Sequence, residues 1–176
     1  AGFNKGIFAE GPSSYQFHQL RVSGCRLAGI ETVVGPVNIR DVVATQNGTV
    51  GILTGSNGFG GNIRDCVAFL NGTDGINNVS ATVSGCAGLQ NGGYGIVASL
   101  CSIVNSTGEL NGLDGIYSVS GSINNCTTSS NHVDGIDCLS TTVMNSAASF
   151  NGSHGIFVNG GVIAFELGHV YARAGV

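Results

Sequence analysis

The chain has 176 residues, a formal net charge of −4 at pH 7, six Lys and Arg residues in total and 30 glycines. Charged residues make up 9% of the chain, against about 25% in an average soluble protein. Because six cations give no basic stripe for a phosphate backbone, the composition argues against a nucleic-acid partner. No apolar run reaches the roughly 18 residues that a membrane span requires.

The first residue is Ala1, and no basic-then-apolar leader follows it. Removal of a signal peptide and excision from a longer chain both remain open. Ser, Thr, Asn and Gly fill positions where a cytosolic protein would usually carry Lys and Glu. We therefore expect an extracellular or cell-surface protein.

A Gly-Ile dipeptide recurs along the chain at nearly constant spacing. It begins at Gly6, Gly29, Gly51, Gly75, Gly95, Gly115, Gly135 and Gly155, and Gly175-Val176 closes the series. The first three intervals are 23, 22 and 24 residues, and the remaining five are 20 each. Such periods predict a solenoid, in which each repeat buries its apolar face against the next. We expect one domain over residues 1–176, with irregular rungs in 1–70, five regular 20-residue rungs in 71–170 and the start of another in 171–176.

Two apolar columns follow from aligning the repeats. The Gly-Ile isoleucines form the first, and the second lies about seven residues later, at Ile39, Ile63, Val83, Ile103, Ile123, Val143 and Ile163. Between them the sequence alternates over short stretches and breaks at Gly, Ser or Asn, which predicts short strands rather than helices. Repeats in register stack like residues about 4.8 Å apart, so the columns become the core.

Asparagines recur in the same register, four residues before six of the Gly-Ile dipeptides. They are Asn47, Asn71, Asn91, Asn111, Asn131 and Asn151, and a second, shorter column contains Asn105, Asn125 and Asn145. Asn tolerates the left-handed backbone conformation of a tight turn, and its amide can bond the same amide one rung away. We interpret both columns as structural ladders that build the coil and do not bind a ligand.

Stacked Asn ladders, Ile/Val columns and Asn-Gly-x-x-Gly-Ile turns resemble the pectin-lyase-like superfamily. The resemblance covers Gly2 to Val176 and implies an all-β, single-stranded, right-handed parallel β-helix of about eight rungs. It also implies where activity would lie. Polysaccharide lyases of this fold use an Arg or Lys base beside acidic Ca²⁺ ligands, and galacturonases use several Asp with His-Gly and Arg/Lys motifs. Neither set matches this sequence residue by residue, so the sequence predicts no catalytic residues and a protein that is not an enzyme.

One column of acids precedes the Gly-Ile dipeptides. Asp74, Asp114 and Asp134 share this column with Tyr94 and His154. Asp114 and Asp134 are expected one rung apart, where like charge would raise one pKa or attract a cation such as Ca²⁺. The alternative is that each Asp caps nearby backbone N–H groups in a solvated turn. No other metal or cofactor is predicted.

Matching Asn-Ile-Arg-Asp strings place Arg40-Asp41 and Arg64-Asp65 in adjacent rungs. We interpret them as structural ion pairs, which stabilise little when exposed.

The six cysteines have no zinc spacing. Cys66, Cys86 and Cys126 fall in one column with Ser106 and Ser146, and Cys25 is a candidate for the same column. We expect stacked free thiols, and Cys66–Cys86 is the disulfide to test. Of the Asn-x-Ser/Thr sites, Asn78 lies outside both ladders and is the candidate for glycosylation.

Neither end of the chain offers a cap for a solenoid. The first and last rungs follow one template, so the end of one molecule should fit the start of another and form a filament. The expected interface comprises Gly2, Phe3, Gly6, Ile7, Tyr171, Gly175 and Val176. The main hypothesis is therefore an extracellular fibre subunit that assembles head to tail. Its alternatives are a carbohydrate-binding or polysaccharide-processing β-helix, for which Tyr94, Tyr117 and Phe157 are the aromatic candidates, and an adhesin stalk.

Overall fold

A computed structural model describes residues 2–55, 57–58, 60–164, 167–168 and 170–173, the last two segments by their backbone alone. These residues form 23 short strands and no helix, and so contain no helix that could cross a membrane. In chain order the strands are β1 (Ile7–Ala9), β2 (Tyr15–Ser23), β3 (Ile30–Thr32), β4 (Val37–Thr45), β5 (Ile52–Thr54), β6 (Gly61–Arg64), β7 (Val67–Phe69), β8 (Ile76–Val79), β9 (Thr82–Ser84), β10 (Ala87–Leu89), β11 (Ile96–Ser99), β12 (Ser102–Val104), β13 (Thr107–Glu109), β14 (Ile116–Val119), β15 (Ser122–Asn124), β16 (Thr127–Ser129), β17 (Ile136–Leu139), β18 (Thr142–Met144), β19 (Ala147–Ser149), β20 (Ile156–Asn159), β21 (Val162–Ala164), β22 (Leu167–Gly168) and β23 (Val170–Arg173).

The strands pair in parallel across successive turns of the coil and form two sheets. The nine-stranded sheet, called face A, has the order β1-β3-β5-β8-β11-β14-β17-β20-β23. The 14-stranded sheet has two wings that meet at β4. Face B contains β6, β9, β12, β15, β18 and β21 with the first halves of β2 and β4, and face C contains β7, β10, β13, β16, β19 and β22 with their second halves. The predicted parallel β-solenoid of about eight turns is confirmed.

Both predicted apolar columns occupy the core. Ile30, Ile52, Ile76, Ile96, Ile116, Ile136 and Ile156 are fully buried behind face A. Ile63, Val83, Ile103 and Ile123 are fully buried behind face B, where they pair in register. Each such side chain contributes about 1.5–3 kcal/mol through its removal from water.

The asparagine ladder is confirmed, and Asn111 shows its chemistry. Its backbone N and its Nδ2 both donate to Oδ1 of Asn131, at 3.0 and 2.9 Å, and Nδ2 also donates to the Gly88 carbonyl at 3.0 Å. Its own Oδ1 accepts the two equivalent bonds from Asn91. Asn111 is 2% exposed, so every polar atom of this buried amide is satisfied by neighbouring turns.

The left-handed corner at this ladder lies one residue earlier than we predicted. Leu70, Gln90 and Leu110 have φ of 56°, 52° and 57°, whereas the asparagines that follow them do not have positive φ. The second asparagine column does adopt this conformation, with φ of 51° at Asn105 and 53° at Asn125. The first ladder is therefore selected by buried hydrogen bonding and only the second by turn conformation.

Glycine before each isoleucine is required by close approach rather than by backbone conformation. A Cβ atom on Gly95 would lie 2.5 Å from the Gly115 carbonyl oxygen and 2.6 Å from Nδ2 of Asn111. Only the absence of a side chain lets the asparagine amide and the next turn approach the strand so closely.

All six cysteines are buried free thiols, so the structure contains no Cys66–Cys86 disulfide. A hydrogen bond between these two thiols lowers the pKa of Cys66 and raises that of Cys86. Cys25, a candidate for their column, does not belong to it. Its backbone N donates to Oδ1 of Asn47, which places it at the head of the asparagine ladder.

The prediction of a glycan on Asn78 is wrong for the folded chain. Asn78 is fully buried on β8. Its Oδ1 accepts from Thr54 and from the Gly61 backbone N, and its Nδ2 donates to the Gly61 carbonyl. A side chain with both amide atoms engaged in the core leaves no room for a sugar.

The structure describes the residues of the predicted assembly interface that lie in the first turn of the coil. Phe3 is 82% exposed, and its carbonyl accepts from the Arg26 backbone N of the next turn. Tyr171 lies in β23, of which only the backbone is described, and Gly175 and Val176 lie outside the described residues. Head-to-tail assembly and the domain boundaries remain predictions.

Candidate active site on face A

Two columns of side chains meet along face A. The first precedes the strands and contains Asp74, Tyr94, Asp114, Asp134 and His154. The second points outward one residue after the buried isoleucine, where Tyr117, Asp137 and Phe157 are aligned in successive turns. Since inward and outward positions alternate along a strand, the buried isoleucines direct these neighbours to the surface.

The aspartates of the first column bind backbone N–H groups of the following turn. Asp114 Oδ1 accepts from the Asp134 N at 2.8 Å, and Asp74 Oδ1 accepts from the Tyr94 N at 3.2 Å. The predicted capping role is thus confirmed. The turn is not solvated as expected, however, because Asp114 is only 5% exposed and Asp134 only 7%.

Asp134 also meets the histidine of the next turn. Its Oδ1 accepts from the His154 backbone N at 2.7 Å and lies 2.9 Å from the imidazole Nδ1. The Ser153 hydroxyl lies 3.0 Å from the same Nδ1. These contacts fix the imidazole at the edge of face A, where its side chain is 40% exposed.

Asp137 lies between two aromatic residues on the outer surface. Its Cα pairs with that of Tyr117 on one side and that of Phe157 on the other. The Tyr117 ring lies 5.5 Å from the Tyr94 ring, and the Phe157 ring lies 5.3 Å from the His154 imidazole, measured between centroids. One aromatic ring therefore lies on each side of Asp137, and each of these rings packs against a further ring. Flat apolar surfaces beside a polar group are typical of binding sites.

Burial shifts the acidity of this cluster. Desolvation raises the pKa of Asp114 to about 6, and the charges of Asp134 and Asp137 act in the same direction. Desolvation, followed by the charge of Asp134, also raises the pKa of Asp137, although His154 opposes this shift. Displaced carboxyl pKa values in a cluster of ionisable groups favour acid–base chemistry.

Structure comparisons identify similar folds. Pectate lyase Pel9A matches with a TM-score of 0.68 and 16% identity, over 97% of this chain and 55% of that one. Two Azotobacter vinelandii mannuronan C-5 epimerase A-modules also match. The AlgE6 module has a TM-score of 0.64 and 15% identity, over 97% of this chain and 74% of that one. The AlgE4 module has a TM-score of 0.52 and 16% identity, over 94% and 59%. No family model and no curated protein sequence matches the chain.

The fold is a parallel β-helix similar to those of the pectate lyase and the two epimerase modules.

These matches correct one of our predictions. We expected a protein that is not an enzyme, whereas the β-helices that it resembles are a lyase and two epimerases. The prediction rested on the lack of a matching catalytic set in the sequence. At 15–16% identity, catalytic residues need not be recognisable by sequence pattern, because a fold preserves its core positions while sites change.

The candidate Ca²⁺ site at Asp114 and Asp134 remains a hypothesis. In the part of the β-helix that the structure describes, no three His, Cys, Asp or Glu side chains are arranged to hold a metal ion. Oδ1 of each aspartate already accepts a hydrogen bond from a backbone N–H group. Hard cations such as Ca²⁺ need six or more oxygen ligands, which this pair alone does not supply.

Sequence reasoning missed the position of Asp137 between two rings. From the sequence we singled out the acid column and not Asp137, which lies three residues after Asp134. The signal was present, because Tyr117, Asp137 and Phe157 each directly follow a Gly-Ile dipeptide. Alignment of that column alone predicts an acid between two aromatic side chains.

The other end of face A carries a separate polar contact. Lys5 Nζ lies 2.9 Å from Glu31 Oε2 and 4.0 Å from the centroid of the Phe8 ring. These residues occupy the same two columns as the candidate site, several turns away, so face A presents one continuous strip.

Proposed function

We propose that the chain is the β-helix of a polysaccharide-processing enzyme, and that its reaction takes place on face A around Asp137. One observation carries the proposal, namely the placement of the Asp137 carboxyl between Tyr117 and Phe157, next to the paired Asp134 and His154. The enzymes of similar fold support it, because their names describe action on pectate and on mannuronan.

The rings provide the binding surface. Aromatic faces pack against the apolar C–H faces of sugar rings, and the polar groups between them select orientation. Tyr94 and Tyr117 form one ring pair and Phe157 packs with His154. A polysaccharide lying along the solenoid axis would place one sugar unit over Asp137 and the next units over the flanking rings.

Asp137 and His154 are the residues proposed to touch the substrate. Both are partly exposed, while Asp114 and Asp134 are buried behind them. Elimination and C-5 epimerisation both begin with the loss of a proton from a sugar carbon, which requires a base and, for its return, an acid. Asp137 and His154 provide that pair, and Asp134 acts as a positioning residue for the imidazole.

Processing of an external polysaccharide fits an extracellular or cell-surface location, which remains part of the proposal. The fibre-subunit reading stays untested, and the comparisons favour the enzymatic alternative over it. The adhesin-stalk reading is not supported by a particular feature of the described residues.

The direct test is incubation of the purified chain with pectate, mannuronan and a neutral β-linked glucan in deuterated water. Three products are measured, namely unsaturated ends by ultraviolet absorbance, new reducing ends, and deuterium at C-5 by NMR spectroscopy. Turnover of at least one acidic polymer but not of the neutral glucan supports the proposal. The absence of all three signals with every polymer would overturn it for this chain.

A further inference from the structure

A groove on face B carries a second, separate arrangement of polar side chains. It encloses about 490 Å³ at the first turns of the solenoid, where β2, β4, β6 and β9 run side by side. Two outward columns form its floor. One contains Gln16, Asn38 and Asn62, and the other contains His18, Arg40 and Arg64.

Each column is in strict register across three turns. Gln16 pairs with Asn38, which pairs with Asn62, and His18 pairs with Arg40, which pairs with Arg64. Neighbouring strands lie about 4.8 Å apart, so the two guanidinium groups repeat at the spacing of the turns. Asn62 Nδ2 donates to Asn38 Oδ1 at 3.2 Å, which holds the amide column in one orientation.

The guanidinium groups are held from one side. Arg40 Nε lies 3.2 Å from Asp41 Oδ2, and Arg64 Nε lies 3.6 Å from Asp65 Oδ2. Among the described residues, no hydrogen bond or ion pair engages the terminal nitrogens of either arginine. A guanidinium group positioned through Nε presents its two remaining nitrogens as a fork that matches a carboxylate.

Stacked arginines need a counter-charge. Like charges directly opposite each other in a sheet are unfavourable, and Asp41 and Asp65 offset only part of this because both ion pairs are about half exposed and therefore weak. A ligand with one anion for each turn would complete the compensation. The neighbouring amides would then bind hydroxyl groups, since an amide both donates and accepts.

We propose that this groove binds a linear oligosaccharide that carries anionic groups, through Arg40 and Arg64, with Asn38 and Asn62 binding its hydroxyls. Thr82 and Ser84 extend the two columns by one further turn. The groove lies on face B, so its binding does not depend on the proposed reaction on face A. It would hold an acidic chain without processing it.

The test measures the binding of tetragalacturonate by calorimetry and by the NMR shifts of the arginine Nε–H and asparagine amide groups. Cellotetraose is the neutral control, and a sulfated tetrasaccharide distinguishes sulfate from carboxylate recognition. We expect R40A/R64A to weaken binding roughly tenfold to a hundredfold. The matched control is R21A/R26A, which removes two exposed arginines outside the groove and changes the net charge equally.

A second double variant tests the groove without removing positive charge from it. D41N/D65N removes the resident counter-charges while asparagine tolerates the left-handed backbone at these positions, where φ is 55° and 53°. This variant should bind tetragalacturonate more tightly than the wild type. Equal affinity of the wild type and R40A/R64A, equal binding of cellotetraose, or weaker binding by D41N/D65N would each overturn the proposal. Because these are binding measurements, they can succeed even if no polymer is processed on face A.

Discussion

One carboxylate oxygen, Oδ1 of Asp134, receives both the backbone N–H and the imidazole Nδ1 of His154, at 2.7 and 2.9 Å. The pair spans two adjacent turns, so the repeat itself brings together residues 20 positions apart. The backbone contact anchors the carboxylate and the side-chain contact orients the ring. The same carboxylate oxygen thus both caps a backbone N–H group and positions an imidazole.

The Asp134→Asn variant should separate these two roles. An asparagine oxygen can still accept the His154 backbone N–H, but it loses the charge that faces the imidazole. We expect stability to change by less than about 1 kcal/mol, while kcat falls at least about tenfold and the pH profile of kcat shifts. Thermal unfolding and turnover measured over a pH range provide the readouts. An unchanged pH profile with reduced activity would instead indicate a structural role alone.

The Asp114→Asn variant should change how stability depends on pH. The ordinary carboxyl pKa is 3.8, and burial raises that of Asp114 to about 6. As pH rises from 3.8 to about 6, the unfolded chain loses this proton first, so the folded state binds more protons and stability falls. The loss is on the order of 3 kcal/mol.

Urea unfolding at several pH values measures this effect. D114N should lack the decline and become the more stable protein above pH 6, because its amide still accepts the Asp134 N–H without a buried charge. D65N, an exposed corner substitution, is the control. If the difference in stability between the wild type and D114N did not vary with pH, the raised pKa of Asp114 would be contradicted.

The Asn111→Ala variant should destabilise the solenoid. It removes the acceptor of two Asn91 bonds and the donor to the Gly88 carbonyl, all of them buried. Leaving buried polar groups without partners should lower the free energy of unfolding by about 3 kcal/mol. Asn105→Gly removes an exposed ladder amide at a left-handed position and should cost less than about 1 kcal/mol. Equal effects in chemical denaturation would show that the buried ladder has no special role.

Much of the fold could be predicted from the repeat, and less of the site. The Gly-Ile spacing predicted the strands of face A and their register, because stacking like on like leaves few alternatives. The inward orientation of the Asn78 side chain could not be predicted. It shares a column with Ala98 and Ser118, and its burial depends on Thr54 and Gly61, which belong to less regular turns.

The left-handed corners were displaced for a similar reason. Leu110 carries positive φ although asparagine, its neighbour, tolerates that conformation better. The core hydrogen bonds of Asn111 outweigh local preference, and an exposed leucine, 54% accessible, takes the strained position instead. Asp137 was overlooked because its environment comes from neighbouring turns rather than from neighbouring sequence.

The cysteine thiols should be unreactive in the native protein. All six are buried, and Cys66 is fully inaccessible. A thiol-specific chromogenic reagent should therefore label none of them rapidly under native conditions and all six after unfolding without a reductant. Fewer than six reactive thiols in the unfolded chain would show that a disulfide such as Cys66–Cys86 forms in solution.

The most direct test of the proposed function compares removal of the C-5 proton of pectate and mannuronan by the wild type, D137N and E109Q, the last a control on face C that lies outside both proposed sites. In deuterated water the account predicts deuterium at C-5 or new unsaturated ends with the wild type and with E109Q, and a rate lower by about 100-fold or more with D137N. Identical native NMR spectra outside the altered turn would exclude misfolding as the cause. Undiminished removal of the C-5 proton by a folded D137N protein would contradict the placement of the reaction between Tyr117 and Phe157.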